Sequence, residues 1–134
     1  MNDYVLVDAD VISGYFGRNR SLKDRPEMSF LEDLFALGLV RVTGHVFQEV
    51  LNGFEKGQVG TYRKMRNRLK NKIIAPTVAE YELSIDICRN CSGFVLSITD
   101  LINCGVSVSR GYKILAFDKD YEGVRMCDRR VKFA

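Results

Sequence analysis

The sequence has few residues that bind zinc and no long hydrophobic run. It contains one histidine, His45, and four cysteines, of which only Cys88 and Cys91 are spaced as C-x-x-C, so a structural zinc site is not expected. No apolar run approaches the length of about 18 residues that a membrane-spanning helix needs. The opening residues, MNDYVLVDAD, lack the basic segment and cleavage pattern of a signal peptide. We therefore expect a cytoplasmic protein with reduced thiols and no membrane partner.

The composition is that of an ordinary globular chain. Hydrophobic residues make up 46% of the sequence and charged residues 28%, and there is no low-complexity tract, so intrinsic disorder is not expected. A length of 134 residues suits one core. We predict a single domain that spans residues 1–134.

Short apolar runs alternate with helical patterns along the chain. Runs at 4–9, 39–43, 72–77 and 112–117 show no polar alternation, which is typical of strands that are covered on both faces. Helical spacing predicts helices between them, with ends near Gly38, Gly93 and Gly111. The tail at 129–134 is a candidate for a last strand. The pattern predicts an α/β fold with a mainly parallel sheet and helices on both faces.

Carboxylates follow two of the predicted strands. Asp8 and Asp10 come at the end of the first apolar run, and Asp118 and Asp120 follow the run at 112–117. In parallel sheets the carboxyl ends of the strands lie at one edge, where functional groups gather. We expect these four acids at the same edge of the sheet.

Two more acids lie on predicted helices. Glu49 borders the apolar stripe of the helical segment 45–57, and Asp100 shares a small polar helix face with Asn103 and Ser107. Acids that converge on one edge repel each other unless a cation neutralises them. Oxygen ligands without histidine suit Mg²⁺ or Mn²⁺, which assist phosphodiester hydrolysis. The pattern therefore favours a metal-dependent nuclease.

Each acid also has a structural explanation. Asp8 or Asp10 could be the N-cap of the following helix, and Asp118 could cap a turn. The spacing from Ser97 to Asp100 matches a capping box, and Glu49 could be an exposed helical acid. These alternatives stay open at the level of the sequence.

Positive charge is concentrated in one segment, although the net charge is only +3. Residues 61–72 read TYRKMRNRLKNK and contain no acid. The segment is either a solvated helix face or a surface that binds phosphates. The candidate RNA-binding residues are Arg63, Lys64, Arg66 and Arg68.

At these acids the sequence resembles the PIN-domain family of metal-dependent ribonucleases, and among them the VapC-type toxins of bacterial and archaeal toxin-antitoxin pairs. The resemblance rests on VLVDADVI with Asp8, on VTGHVFQEVLNG with Glu49, and on TDLINCGVSVSRGYKILAFDKDY with Asp100 and Asp118. It covers nearly the whole chain. It implies a three-layer α/β/α PIN-like fold around a mainly parallel central sheet.

The resemblance also implies a site and its partners. Asp8, Asp100 and Asp118 would be ligands of Mg²⁺ or Mn²⁺, and Glu49 would complete the metal shell or orient the attacking water. The implied substrates are structured RNAs such as tRNA or ribosomal RNA. A cognate antitoxin would cover the site, and the chain would form a homodimer.

Two positions depart from the family pattern. Asp10 stands where serine, threonine or asparagine is usual, and Ala116 stands where serine or threonine is common. Asp10 and Asp120 are therefore possible additional ligands, although Asp10 could merely cap a helix. The departures keep open an alternative function, a catalytically weak PIN-like module that binds RNA or protein. A flavodoxin-like receiver domain is disfavoured because it leaves Glu49 without a role.

Overall fold

Four short parallel strands organise the chain in the computed structural model, which describes residues 3–17, 22–54, 57–91, 93, 96–117 and 119–134. The strand order is β3-β2-β1-β4. Val5 of β1 lies between Val40 of β2 and Lys113 of β4, so β1 is a central strand. The strands are β1 (Val5–Val7), β2 (Val40–Thr43), β3 (Ile73–Ile74) and β4 (Lys113–Leu115).

Seven α-helices lie within the described residues. Several begin at residues with good capping chemistry: Thr43 accepts a hydrogen bond from the Val46 N–H, and Thr77 forms a capping box with Glu80. The sixth helix ends at Gly111, whose φ of 72° is the left-handed conformation that glycine adopts without strain. The helices are α1 (Ala9–Tyr15), α2 (Pro26–Ala36), α3 (Gly44–Asn52), α4 (Val59–Leu69), α5 (Val78–Asn90), α6 (Ile98–Arg110) and α7 (Glu122–Cys127).

Side chains on the two faces of the sheet form two cores. Helices α1 to α4 cover one face, and helices α5 to α7 cover the other. Successive side chains of a strand point to opposite faces of the sheet, so β1 and β4 each contribute residues to both cores. The first core includes Val5, Val7, Val40, Ile12, Leu31, Val46 and Met65, and the second includes Leu6, Ile114, Ile87, Ile102 and Val124. The predicted three-layer α/β/α architecture with a parallel sheet is confirmed.

Helices α5 and α6 pack closely against each other. Arg110 at the end of α6 makes a two-pronged ion pair with the buried carboxylate of Glu80, at 2.8 and 2.9 Å. The same guanidinium donates to the Ala75 carbonyl at 3.1 Å. None of the described helices combines the length and apolarity needed to cross a membrane.

The structure differs from the sequence-based expectations at three points. Helix α7 (Glu122–Cys127) lies in a segment for which no helix was predicted. In the described tail, Phe133 makes a single parallel bridge to Ile114 where a last strand was expected. Cys91 and Cys127 form a disulfide between the ends of α5 and α7, so the expectation of four reduced thiols is wrong. Packing of the two helix ends brings these cysteines together, and neither their spacing nor the C-x-x-C pattern predicts the pair.

Candidate metal centre

Three carboxylates meet at the carboxyl ends of the neighbouring strands β1 and β4. Asp8 follows β1, Asp10 lies in the first turn of α1, and Asp120 lies in the turn after β4. One oxygen from each lies within 4.8 Å of the other two. Asp8 occupies the N-cap position of α1, yet its side chain makes no capping hydrogen bond. Its carboxylate is therefore not explained by the helix start.

The acids line one small cleft of about 150 Å³. Glu49 on α3 and Asp100 on α6 reach this cleft from the other helices that surround it. Asp118, which was predicted to be a fourth acid, lies outside the described residues. The cleft is lined by Asp8, Ala9, Asp10, Glu49, Ser97, Asp100 and Asp120.

A buried hydrogen-bond network contacts the carboxylates of Asp8 and Asp100. The hydroxyl of Tyr121 lies 3.0 Å from Asp8 Oδ1 and 3.2 Å from Asp100 Oδ1. The Asn103 amide donates to the Tyr121 hydroxyl at 3.1 Å and to Asp8 Oδ1 at 3.4 Å. Thr43 at the end of β2 donates to the Asn103 carbonyl oxygen at 3.2 Å. The network thus connects the ends of β1 and β2 with α6 and the start of α7.

Burial and mutual repulsion disfavour negative charge on these acids. Burial, with the charge of Asp100 next, raises the pKa of Asp8 to about 7, against the hydrogen bond from Tyr121. Burial and the charge of Asp10 raise the pKa of Asp120 to about 6. The pKa of Asp100 is also raised, because burial outweighs its hydrogen bonds with Ser97 and Tyr121. A cation in the cleft would remove this electrostatic cost.

The donor set fits a hard divalent cation. Within the described part of the chain, Asp120 Oδ2 is buried and has no hydrogen-bond partner, which leaves it ready to accept a cation. All candidate ligands are oxygens, the donor type that Mg²⁺ and Mn²⁺ prefer, and one oxygen from each of the three acids lies within 4.8 Å of the other two. Among the acids that the structure describes, Asp8, Asp10 and Asp120 are the ones best arranged to hold such an ion.

The predicted site residues differ in how centrally they lie. Asp10 and Asp120, which were expected to be additional ligands, belong with Asp8 to the tightest group. Glu49 is exposed on the border of the cleft. Asp100 takes part in the helix start as well, because Ser97 Oγ accepts from its N–H at 3.0 Å. The catalytic roles of these residues stay predictions.

Helix α4 carries the predicted RNA-binding residues. Arg63, Lys64 and Arg66 are exposed. Arg68 instead packs over the Phe35 ring at 4.1 Å and donates to the Tyr15 hydroxyl at 3.0 Å. The first three residues are available to a phosphate backbone, whereas Arg68 is engaged within the fold.

Tyr121 contacts the acids of the cleft, and the acid pattern of the sequence does not predict this contact. Asn103 was noted only because it shares a helix face with Asp100. The available signal was a tyrosine directly after the acidic DKD segment, a place where a buried hydroxyl can reach the neighbouring carboxylates.

Comparison with known proteins supports the fold. No protein-family model matches the sequence, and no curated protein matches it. VapBC2 from Rickettsia felis, in a crystal structure bound to a DNA fragment from its promoter, matches with a TM-score of 0.74 and 10% identity, over 98% of this chain and 97% of that chain. FitAcB from Neisseria gonorrhoeae matches with a TM-score of 0.66 and 12% identity, over 97% and 96%. At these identities the likeness shows the fold alone, which is PIN-like.

Proposed function

We propose that the chain is a metal-dependent endoribonuclease that cleaves structured RNA, such as tRNA or ribosomal RNA, as the toxin of a toxin-antitoxin pair. The observation that carries this proposal is the group formed by Asp8, Asp10 and Asp120, with one oxygen of each within 4.8 Å of the others at one sheet edge. Glu49 and Asp100 line the same cleft. The structural likeness to VapBC2 and FitAcB supports the toxin assignment.

The acids would hold Mg²⁺ or Mn²⁺ and leave Glu49 free to assist. Asp8, Asp10 and Asp120 are the central candidate ligands, and Asp100 and Asp118 complete the proposed set. When bound, the ion would supply Lewis-acid assistance by activating water and offsetting charge on the phosphodiester. Glu49 is exposed at the border of the cleft, where its carboxylate can orient the attacking water or take its proton.

The small cleft suits a single phosphodiester group of an RNA backbone. Its volume is about 150 Å³. Loops and bulges expose their backbones to such a cleft. The exposed cations Arg63, Lys64 and Arg66 on α4 would bind flanking phosphates. An acidic segment of an antitoxin could bind the same cations. Formation of a homodimer stays a prediction, which light scattering of the purified protein can check.

RNA cleavage by the purified protein tests the proposal. Total RNA is incubated with the protein in Mg²⁺, Mn²⁺ or EDTA, together with the variants Asp100→Asn and Asp33→Asn. Asp33 is a matched control because it is an exposed aspartate on α2, outside the acidic cleft. We expect discrete fragments that require metal and Asp100 but not Asp33. Intact RNA in every lane, from folded protein free of antitoxin, would reject the nuclease.

A catalytically weak module that binds RNA or protein is the second candidate. It is favoured by Ala116, which is buried and lacks the hydroxyl that the family pattern has there. Such a module would bind RNA with the same affinity in EDTA as in Mg²⁺, and it would leave the RNA intact. Gel-shift titrations under both conditions separate the two candidates.

A further inference from the structure

Tyr121 is a fully buried side chain with a polar end at the acid group. Its relative exposure is 0%, and its ring packs against Phe133 with centroids 5.6 Å apart. The hydroxyl lies 3.0 Å from Asp8 Oδ1 and 3.2 Å from Asp100 Oδ1. One hydroxyl thus contacts carboxylates from two different elements, the end of β1 and the first turn of α6.

The direction of the Tyr121 hydroxyl is fixed by Asn103. The Asn103 amide donates to the Tyr121 oxygen at 3.1 Å, so that oxygen is the acceptor in this contact. The only hydrogen of the hydroxyl is then left for the carboxylates. Asn103 is itself held by Thr43, whose hydroxyl donates to its carbonyl oxygen at 3.2 Å. The orientation is therefore set by a chain of buried groups that begins at β2.

The hydroxyl engages Oδ1 of both Asp8 and Asp100. The Asn103 amide also approaches Asp8 at Oδ1. None of these bonds uses Oδ2 of either residue. A hydrogen bond to Oδ1 restricts the rotation of each carboxylate and so fixes the direction of its Oδ2. Hydrogen-bond partners of metal-binding carboxylates commonly act in this way.

We propose that Tyr121 is a positioning residue, whose hydroxyl orients Asp8 and Asp100 for a divalent cation in the cleft. The proposal rests on the proposed function for the identity of the site, and it adds a residue that the acid pattern does not contain. Because Tyr121 is fully buried behind the acids, it acts through them and does not contact RNA. It also couples the site to α7, since it immediately precedes that helix.

The variant Tyr121→Phe tests this proposal because it removes the hydroxyl and keeps the ring. Tyr112→Phe is the matched control: Tyr112 is also buried in the second core, it precedes β4 whereas Asp120 follows that strand, and its ring packs against Tyr4 with centroids 5.7 Å apart. Mn²⁺ affinity is measured for each protein by electron paramagnetic resonance. Cleavage of RNA is measured in parallel, and circular dichroism checks the fold.

We expect Tyr121→Phe to bind Mn²⁺ about 10-fold more weakly than the wild type, and Tyr112→Phe to bind it as the wild type does. In the cleavage assay, kcat should fall for Tyr121→Phe while KM for RNA changes little, because the residue does not contact RNA. Equal Mn²⁺ affinity in the two variants would overturn the positioning role even if the wild type cleaves RNA.

The two proposals fail in different ways. A wild type that binds Mn²⁺ but leaves RNA intact rejects the nuclease, while a weaker affinity of Tyr121→Phe still supports the positioning role. A wild type that binds no Mn²⁺ overturns both. If Tyr121→Phe does not fold, 3-fluorotyrosine at position 121 keeps the hydroxyl, and its fluorine resonance is expected to move when Mg²⁺ is added. A resonance that shifts no more than the same label at position 112 would overturn the proposal.

Discussion

Gly105 of α6 lies directly against the backbone carbonyl of Glu80 on α5, and a Cβ at position 105 would come closer than 3.0 Å to that oxygen. Backbone atoms cannot move aside as a flexible side chain can, so Gly105→Ala should separate the two helices. We expect it to lower the free energy of unfolding by about 1–3 kcal/mol, measured by urea denaturation. Gly60→Ala is the control, because Gly60 lies in α4 with open space around it. That change should stabilise by up to about 1 kcal/mol, and a similar loss in both variants would contradict the close helix contact.

The disulfide between Cys91 and Cys127 should contribute strongly to stability. It joins residues 36 apart in the sequence, and constraining a loop of that length in the unfolded chain contributes about 3–4 kcal/mol. Dithiothreitol should therefore lower the free energy of unfolding by about that amount, and Cys127→Ser should show the same loss with no further response to the reductant. Cys88→Ser should respond like the wild type because Cys88 is free and exposed. Stability that is independent of the reductant would contradict the pairing.

Stability without metal should fall as the pH rises from about 4 to 7. The folded protein raises the pKa of Asp8 to about 7, whereas an unfolded aspartate titrates near 3.9. In that window the folded state keeps a proton on Asp8 that the unfolded chain has lost, so Asp8 alone lowers the free energy of unfolding by up to about 1.4 kcal/mol per pH unit, and Asp120 adds to the slope below about pH 6. Urea denaturation in EDTA measures this profile. Asp8→Asn should make the profile less steep while the contribution of Asp120 remains, and added Mn²⁺ should restore stability above pH 7. A variant profile as steep as that of the wild type would reject this explanation.

The exposed cations of α4 should govern RNA affinity rather than the chemical step. Replacing Arg63, Lys64 and Arg66 by alanine should raise KM and lower the salt dependence of binding, with a log-log slope smaller by about 2, while kcat is retained. Arg89→Ala is a control for exposed charge on α5. Arg68→Ala should instead lower the melting temperature, because its guanidinium packs over aromatic rings within the fold. Unchanged salt dependence in the triple variant would exclude α4 from the RNA surface.

The sequence predicted the layers better than the limits of the strands. The apolar run at 112–117 predicts a strand of six residues, yet β4 spans only Lys113–Leu115. Ala116 and Phe117 beyond it are buried all the same. An apolar run predicts which residues are buried, but it does not predict where the hydrogen bonds between strands end. Burial can therefore continue beyond the last residue of β4. Helix α7 escaped prediction because its six residues are too few to show a helical period.

The convergence of three acids at one sheet edge was predicted, because it follows from topology. Asp8, Asp10 and Asp120 follow two strands that turned out to be neighbours, so their convergence was visible in the order of strands and acids. The contact between Tyr121 and Asp8 was not visible, since it depends on the angle at which the chain turns into α7. The disulfide was not predictable either, because Cys127 is the last residue of α7 and its position also depends on that angle.

The order of the strands determines when the acid group can form during synthesis. Strand β1 is made first, but its neighbour β4 and the adjacent Asp120 come more than a hundred residues later. A ribosome that has made the chain only through α6 has produced Asp8, Glu49 and Asp100, but neither β4 nor the hydroxyl of Tyr121. The acid group can therefore form only after nearly the whole chain has been synthesised.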